Sequence, residues 1–242
     1  MKHRALSHSN ECYATHRSDR VFTLEVEVMD LSSPISSVIP SAQGAVLAVL
    51  ARTDEPLSGR AVASLTNGRF GQWRVNEVLG QLADAGVVLR ESHPPAKLYR
   101  LNRDHVAAAG ITALAEQWDT LLSRIRAELD SWQVRPEAAW LFGSAARGEA
   151  GSDSDIDILL VRPPTPTLAT GDADQPWHAQ VDTLTERVSS WSGNTCEVLE
   201  LTAAELRQSV ERDDRLVRDL RDHALHLAGR RVRTLLPRGV RR

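Results

Sequence analysis

Cysteine is nearly absent: Cys12 and Cys196 are the only two in 242 residues. That is too few for a disulfide framework or a zinc cluster, and it suits a reducing cytoplasm. Long apolar runs are missing as well, so no stretch approaches the ~20 residues that span a bilayer, and no membrane partner is expected. The N-terminal sequence has no signal-peptide core, because VFTLEVEVM is interrupted by Glu25 and Glu27. Neither charge sign dominates. With 29 Lys and Arg against 32 Asp and Glu, the net charge is −3, which argues against a wholesale polyanion binder and leaves only a local nucleic-acid surface. Internal repeats are lacking too. What remains, 42% hydrophobic and 25% charged, can bury a core as one large domain or two small ones.

The most informative stretch is LFGSAARGEAGSDSDIDILLV, residues 141–161. Gly143 to Gly148 has the spacing of a P-loop, but Glu149 and Ala150 stand where Lys and Ser/Thr belong, and a glutamate there repels a triphosphate. Asp153, Asp155 and Asp157 imitate the start of an EF-hand loop, yet Ile158 replaces the glycine of its sharp turn. DIDILLV reads instead as a short strand, bounded by Pro163 and Pro164.

Residues 1–37 form an N-terminal extension, partly disordered. Its loosely spaced His3, His8, Cys12 and His16 read as a frayed tail or a metal site. VFTLEVEV alternates as a strand does, and Met29 is an alternative natural start. From 38 to 104 the pattern is three helices and a hairpin. The first carries Val46, Leu47 and Leu50. The second opens at Ser58, a good N-cap, with Val62 and Leu65 facing inward. After Asn67-Gly68, the third has Val75, Val78, Leu79 and Leu82 at helical spacing and Gly86 as C-cap. VVLRE and KLYRL then flank the turn SHPPA.

This segment resembles a winged helix-turn-helix domain of the bacterial repressor type. The resemblance implies that the third helix enters the major groove with Gln72, Trp73, Arg74 and Asn76. It also implies that Arg90, Lys97 and Arg100 of the hairpin lie near phosphates. Dimerisation or protein docking is the other use of such a domain, and an exposed Trp73 suits either.

Residues 105–132 connect the two parts. Ile111, Leu114, Trp118, Leu121, Ile125, Leu129 and Trp132 step by three and four, one continuous apolar stripe on one helix. It packs on the following domain's sheet or forms the seam of a homodimer.

In residues 133–236, AAWLF reads as a buried strand, Gly143-Ser144 as a tight turn, and AARG as the first turn of a helix. Backbone N–H groups at such a turn face outward unpaired and favour phosphate. On the next strand Asp155 and Asp157 are two residues apart, so both point to one face with Cα atoms roughly 6–7 Å apart. Ile156 and Ile158 point to the core. Neighbouring carboxylates raise each other's pKa unless a cation lies between them, and a pair of Mg²⁺ ions about 4 Å apart is the usual resolution in nucleotidyl transfer.

FGSAARG followed by SDIDILLV resembles the DNA polymerase β-like nucleotidyltransferase superfamily, small bacterial type. The resemblance implies an α+β fold, a mixed sheet with flanking helices behind the N-terminal winged helix. By the same resemblance Gly143 and Ser144 hold the phosphates of an NTP, and Asp155 and Asp157 bind two Mg²⁺ ions. Arg147 touches a phosphate or pairs with Glu149. A third catalytic and metal-binding carboxylate is implied on a later strand, NTCEVLELT, after a helix carrying Val181, Leu184, Val188 and Trp191. Glu197 is chosen, with Glu200 on the opposite face as the alternative. Asp153 caps a loop. Thr202 to Glu205 is a capping box, Leu216, Val217 and Leu220 face inward from a later helix, and DHALHLAG resembles the closing strand. His223 and His226 are structural or surface residues. Residues 237–242, with Arg238, Arg241 and Arg242, form a basic tail.

The function implied is Mg²⁺-dependent transfer of NMP from an NTP to an unidentified acceptor, with pyrophosphate released. Related small enzymes modify proteins, transfer-RNA ends or aminoglycosides, and some belong to toxin–antitoxin pairs; no further helical domain is available to enclose a drug. The alternative is a DNA-binding regulator whose nucleotidyltransferase-like domain only senses nucleotide.

Overall fold

The computed structural model describes residues 30–31, 33–66, 68–93, 96–151, 154–164 and 175–237. The histidines and Cys12 of the extension, the strand expected at 21–28, Met29, Asn67, Asp153 and the terminal arginines lie outside them.

The first unit follows the periodicity of its sequence. Helices α1 (Ala42–Ala51), α2 (Gly59–Leu65) and α3 (Gln72–Asp84) close on Val46, Leu50, Val62, Val75, Val78 and Leu79, all fully buried. The Ser58 hydroxyl accepts from the Ala61 amide at 3.2 Å and starts α2. Leu65, expected inward, is 56% exposed, while Thr66 is buried. The inward position is four residues from Val62 rather than three, and the Thr66 hydroxyl is satisfied by donating to Ala63 O at 2.7 Å. Strands β1 (Leu57–Ser58), β2 (Val88–His93) and β3 (Ala96–Leu101) form an antiparallel sheet in the order β1-β3-β2. The β2–β3 ladder reaches His93 and Ala96, deeper into the expected SHPPA turn than the sequence indicated.

The connecting segment is not one helix. It divides into α4 (Ala108–Ala115) and α5 (Gln117–Asp130), with Glu116 between them at φ −97°, ψ 13°. The apolar stripe serves two cores: Ile111 and Leu114 join the core of the first unit, where α4 packs on α1, whereas Leu121, Ile125, Leu129 and Trp132 pack with the second unit. The break falls where the stripe changes allegiance.

That second unit comprises β4 (Ala138–Phe142), α6 (Gly143–Arg147), β5 (Ile156–Arg162), α7 (Gln175–Ser192), β6 (Cys196–Thr202), α8 (Ala203–Arg212), α9 (Arg215–His223), β7 (Leu225–Gly229) and α10 (Val232–Leu235). Its sheet order is β6-β5-β4-β7, with β5 and β6 parallel and the other pairs antiparallel. Strand alternation splits the core. Ala139, Leu141, Ile156, Ile158 and Leu160 meet α5 and α7, where Trp132 and Trp177 pack edge to face at 5.5 Å. Ala138, Trp140, Leu159 and Val161 meet Leu206, Leu220 and Leu236 on the other side. Val181, Leu184 and Val188 are buried from α7 as their spacing indicates. Thr202 and Glu205 form the expected capping box, and β7 closes the sheet beside β4. This mixed α+β architecture fits a nucleotidyltransferase domain.

Candidate active site

The site grows from the way β4 ends. After Phe142 the chain needs a backbone that turns sharply, and Gly143 supplies it at φ +72°. The glycine answers a second demand. A Cβ at this position would overlap the Asp157 carboxylate oxygen Oδ2, so the turn rests directly on that side chain. Helix α6 is a single turn rather than the beginning of a longer helix, because Gly148 adopts φ +70° and stops it after Arg147.

Cross-strand register places the acidic residues. Phe142 is opposite Asp157, and Asp157 is opposite Glu197 on the parallel neighbour β6. Partners across a ladder share a face, about 5 Å apart. Asp157 and Glu197 therefore stand abreast on the face away from α7. Glu200 lies on the other face, where it accepts a hydrogen bond from the Trp177 indole. Asp155 differs from expectation: β5 begins at Ile156, whose amide bonds to Thr195 O at 2.8 Å, so Asp155 is an exposed residue just ahead of the strand.

The electrostatics follow from this crowding. Burial raises the pKa of Asp157 above the ordinary 3.8, and the Glu197 and Asp155 charges push it further, against the opposing pull of Arg147. Cys196, buried and near Asp157 and Glu197, is pushed up to about 12 and is an inert thiol.

The groups expected to donate to phosphate are not free. Gly143 N–H, expected unpaired, donates to Asp219 Oδ2 at 3.2 Å. Arg147 donates from Nε to Glu149 at 2.7 Å and from Nη1 to Asp219 Oδ1 at 2.8 Å. These bonds hold the guanidinium proton more firmly than usual, Glu149 contributing first and Asp219 second. Asp219, on α9, gave no signal in the sequence, being 76 positions from Gly143. Ser144 is half-buried in α6 beside these groups.

The donor set suits a hard divalent cation in kind, since Asp155, Asp157 and Glu197 offer only carboxylate oxygens. Among the described residues, however, no group of three His, Cys, Asp or Glu side chains is drawn together closely enough to hold a metal ion.

The residues expected on a DNA surface separate into two sets. Gln72, Trp73, Arg74 and Asn76 are exposed on the first turns of α3, Trp73 by 77%. Gln72 and Asn76 line an open groove of about 490 Å³ with Arg90, Lys97 and Arg60, the last a cation not singled out in the sequence. Arg100 is divided from Arg90 and Lys97 by strand alternation: it faces away and pairs with Glu91 at 3.1 Å. Arg74 pairs with Glu77 at 2.7 Å.

With this geometry in place, comparison with known proteins gives a definite result for the second unit. Residues 122–220 match the nucleotidyltransferase domain family. The match runs from within α5 to the middle of α9, includes Gly143, Asp157 and Glu197, and supports the nucleotidyltransferase superfamily and NMP transfer in general for this part of the chain. No curated protein matches the chain. One similar solved structure is of HOP2, described as giving insights into its DNA recognition and protein interaction domains and its homologous DNA pairing. It is 26% identical over 26% of this chain and 100% of that one, with a TM-score of 0.24, too low to establish a shared fold. Among the described residues no helix is long and apolar enough to cross a membrane.

The raised Asp157 pKa has a consequence for stability. Its folded form holds a proton more tightly than the unfolded chain does, so the favourable contribution is complete below about pH 4 and is lost as pH rises through the folded value. In EDTA, Asp157→Asn should therefore melt above the wild type at pH 7, with the gain disappearing toward pH 3.5. An equal difference at both pH values would mean that Asp157 is not crowded by its neighbours.

Proposed function

We propose that the chain transfers an NMP from an NTP to an acceptor that is a protein, an RNA or a small molecule, with Mg²⁺ as cofactor. The observation that carries this is the row in which Asp157 and Glu197 stand abreast, with the Gly143 turn resting on Asp157. Asp155, Asp157 and Glu197 would hold the ions. When bound, Mg²⁺ supplies positive charge that offsets the phosphates and acidifies the attacking hydroxyl.

The chain's own groups do the rest. Gly143 N–H and the Ser144 hydroxyl donate to phosphate oxygens, and Arg147 adds its charge where the pyrophosphate leaves. Without a cation the site repels a triphosphate, because Asp155, Asp157, Glu197 and Asp219 outnumber Arg147. Nucleotide binding is accordingly conditional on the divalent ion, which guards against non-productive occupancy.

A second reading draws support from carboxylates that are not gathered as ligands: a DNA-binding regulator that binds Mg-NTP and releases no pyrophosphate. Incubating the full chain with labelled NTPs and a cell lysate distinguishes the two. Transfer with pyrophosphate release, lost in the Asp155→Asn, Asp157→Asn double variant, is expected. Undiminished transfer by that variant would remove the enzymatic proposal.

The first unit, with three helices and a β2–β3 hairpin, is proposed to be a winged helix-turn-helix that binds DNA. Its support is the groove lined by Arg60, Arg90, Lys97, Gln72 and Asn76, to which, among the described residues, no carboxylate contributes. Replacing both Arg90 and Lys97 by Ala should weaken duplex binding and flatten the slope of log K against log salt by about 2. Arg100→Ala, already paired to Glu91, should change the slope less. An unaltered slope in the double variant would count against this surface.

A further inference from the structure

The Asp219 carboxylate makes contacts of the kind expected of a phosphate. One oxygen accepts from Gly143 N–H at 3.2 Å, and the other accepts from Arg147 Nη1 at 2.8 Å. His223 Nδ1, one turn further along α9, lies 3.4 Å from the same oxygen. Asp219 is only partly buried, its side chain 20% exposed, and its charge adds to the crowding of Asp157. An anion is therefore held on two of the groups that the nucleotidyltransferase reading assigns to the triphosphate.

We propose that Asp219 is a stand-in anion that sets the affinity for nucleotide: its carboxylate satisfies Gly143 and Arg147 when no nucleotide is bound, and the triphosphate must displace it. This rests on the nucleotidyltransferase reading of the same site. The physical basis is exchange of one charge-assisted set of hydrogen bonds for another. An arriving phosphate gains only the difference between its own bonds and those it breaks. Two like charges cannot share one amide and one guanidinium without repulsion. Leaving the Gly143 amide unpaired and Arg147 held by Glu149 alone in the free protein would cost stability, and the carboxylate offsets that cost. Withdrawal of the Asp219 side chain then becomes part of nucleotide entry. Asp219 is thus a positioning residue acting through Gly143 and Arg147.

Asp219→Asn removes the charge and keeps an acceptor for the Gly143 amide; Asp219→Ser is a smaller second variant in case the first fails to fold. Binding of Mg-ATP and of Mg-tripolyphosphate to the full chain is measured by calorimetry, alongside thermal unfolding without ligand. Both ligands should bind about tenfold more tightly to the variants, even where the free variants melt lower. Affinity that is unchanged or weakened, while the wild type binds normally, would make Asp219 a simple brace between α6 and α9 and overturn the proposal alone. If neither ligand binds the wild type or the variants, the nucleotide reading of the site falls and takes the proposal with it.

Discussion

Carboxylate crowding at Asp157 is the constraint around which the second unit is arranged. The residue is held by the β4–β5–β6 register with Phe142 on one side and Glu197 on the other. Its burial and its charged neighbours raise its pKa, so the fold keeps an unfavourable charge at one place on its sheet. Proteins tolerate such local costs where a ligand relieves them. Here the relief on offer is cationic: Arg147 supplies part of it, and the donor set suits a divalent ion for the remainder.

The glycine turn is tied to the same constraint. Gly143 combines a left-handed backbone with close approach to Asp157, so the α6 turn cannot shift independently of the carboxylate. Asp219 extends the linkage by joining α9 to Gly143 and Arg147. Gly143, Arg147, Asp157 and Asp219 form one mechanically connected unit, built on β4 and β5, whose buried residues meet helices on both faces. Rigid strands set the carboxylates, and a helix contact sets the donors.

How far the sequence reveals this depends on how local each signal is. Val75, Val78 and Leu79 announce α3 because helix period and burial coincide within one turn. Gly143, Ser144 and the aspartates are legible because a turn and a strand lie within fifteen residues. The choice between Glu197 and Glu200 turns on strand parity, and the register sets them on opposite faces. Parity also divides Arg100 from Arg90, a separation that a count of hairpin cations overlooks. The break at Glu116 was hidden because one stripe of apolar residues continues across it while its partners change. Asp219 was illegible for a plainer reason: an exposed-looking aspartate on an amphipathic helix acquires its meaning only when tertiary packing brings it to Gly143.

The row from Gly143 through Asp157 to Glu197, and not the opposite face of β6, is proposed to carry the chemistry. The most direct measurement compares Glu197→Gln with Glu200→Gln in the full chain, reading Mn²⁺ binding and NMP transfer together. Loss of both in Glu197→Gln, with both retained in Glu200→Gln, is the predicted result. Transfer that survives in Glu197→Gln and vanishes in Glu200→Gln would contradict the account.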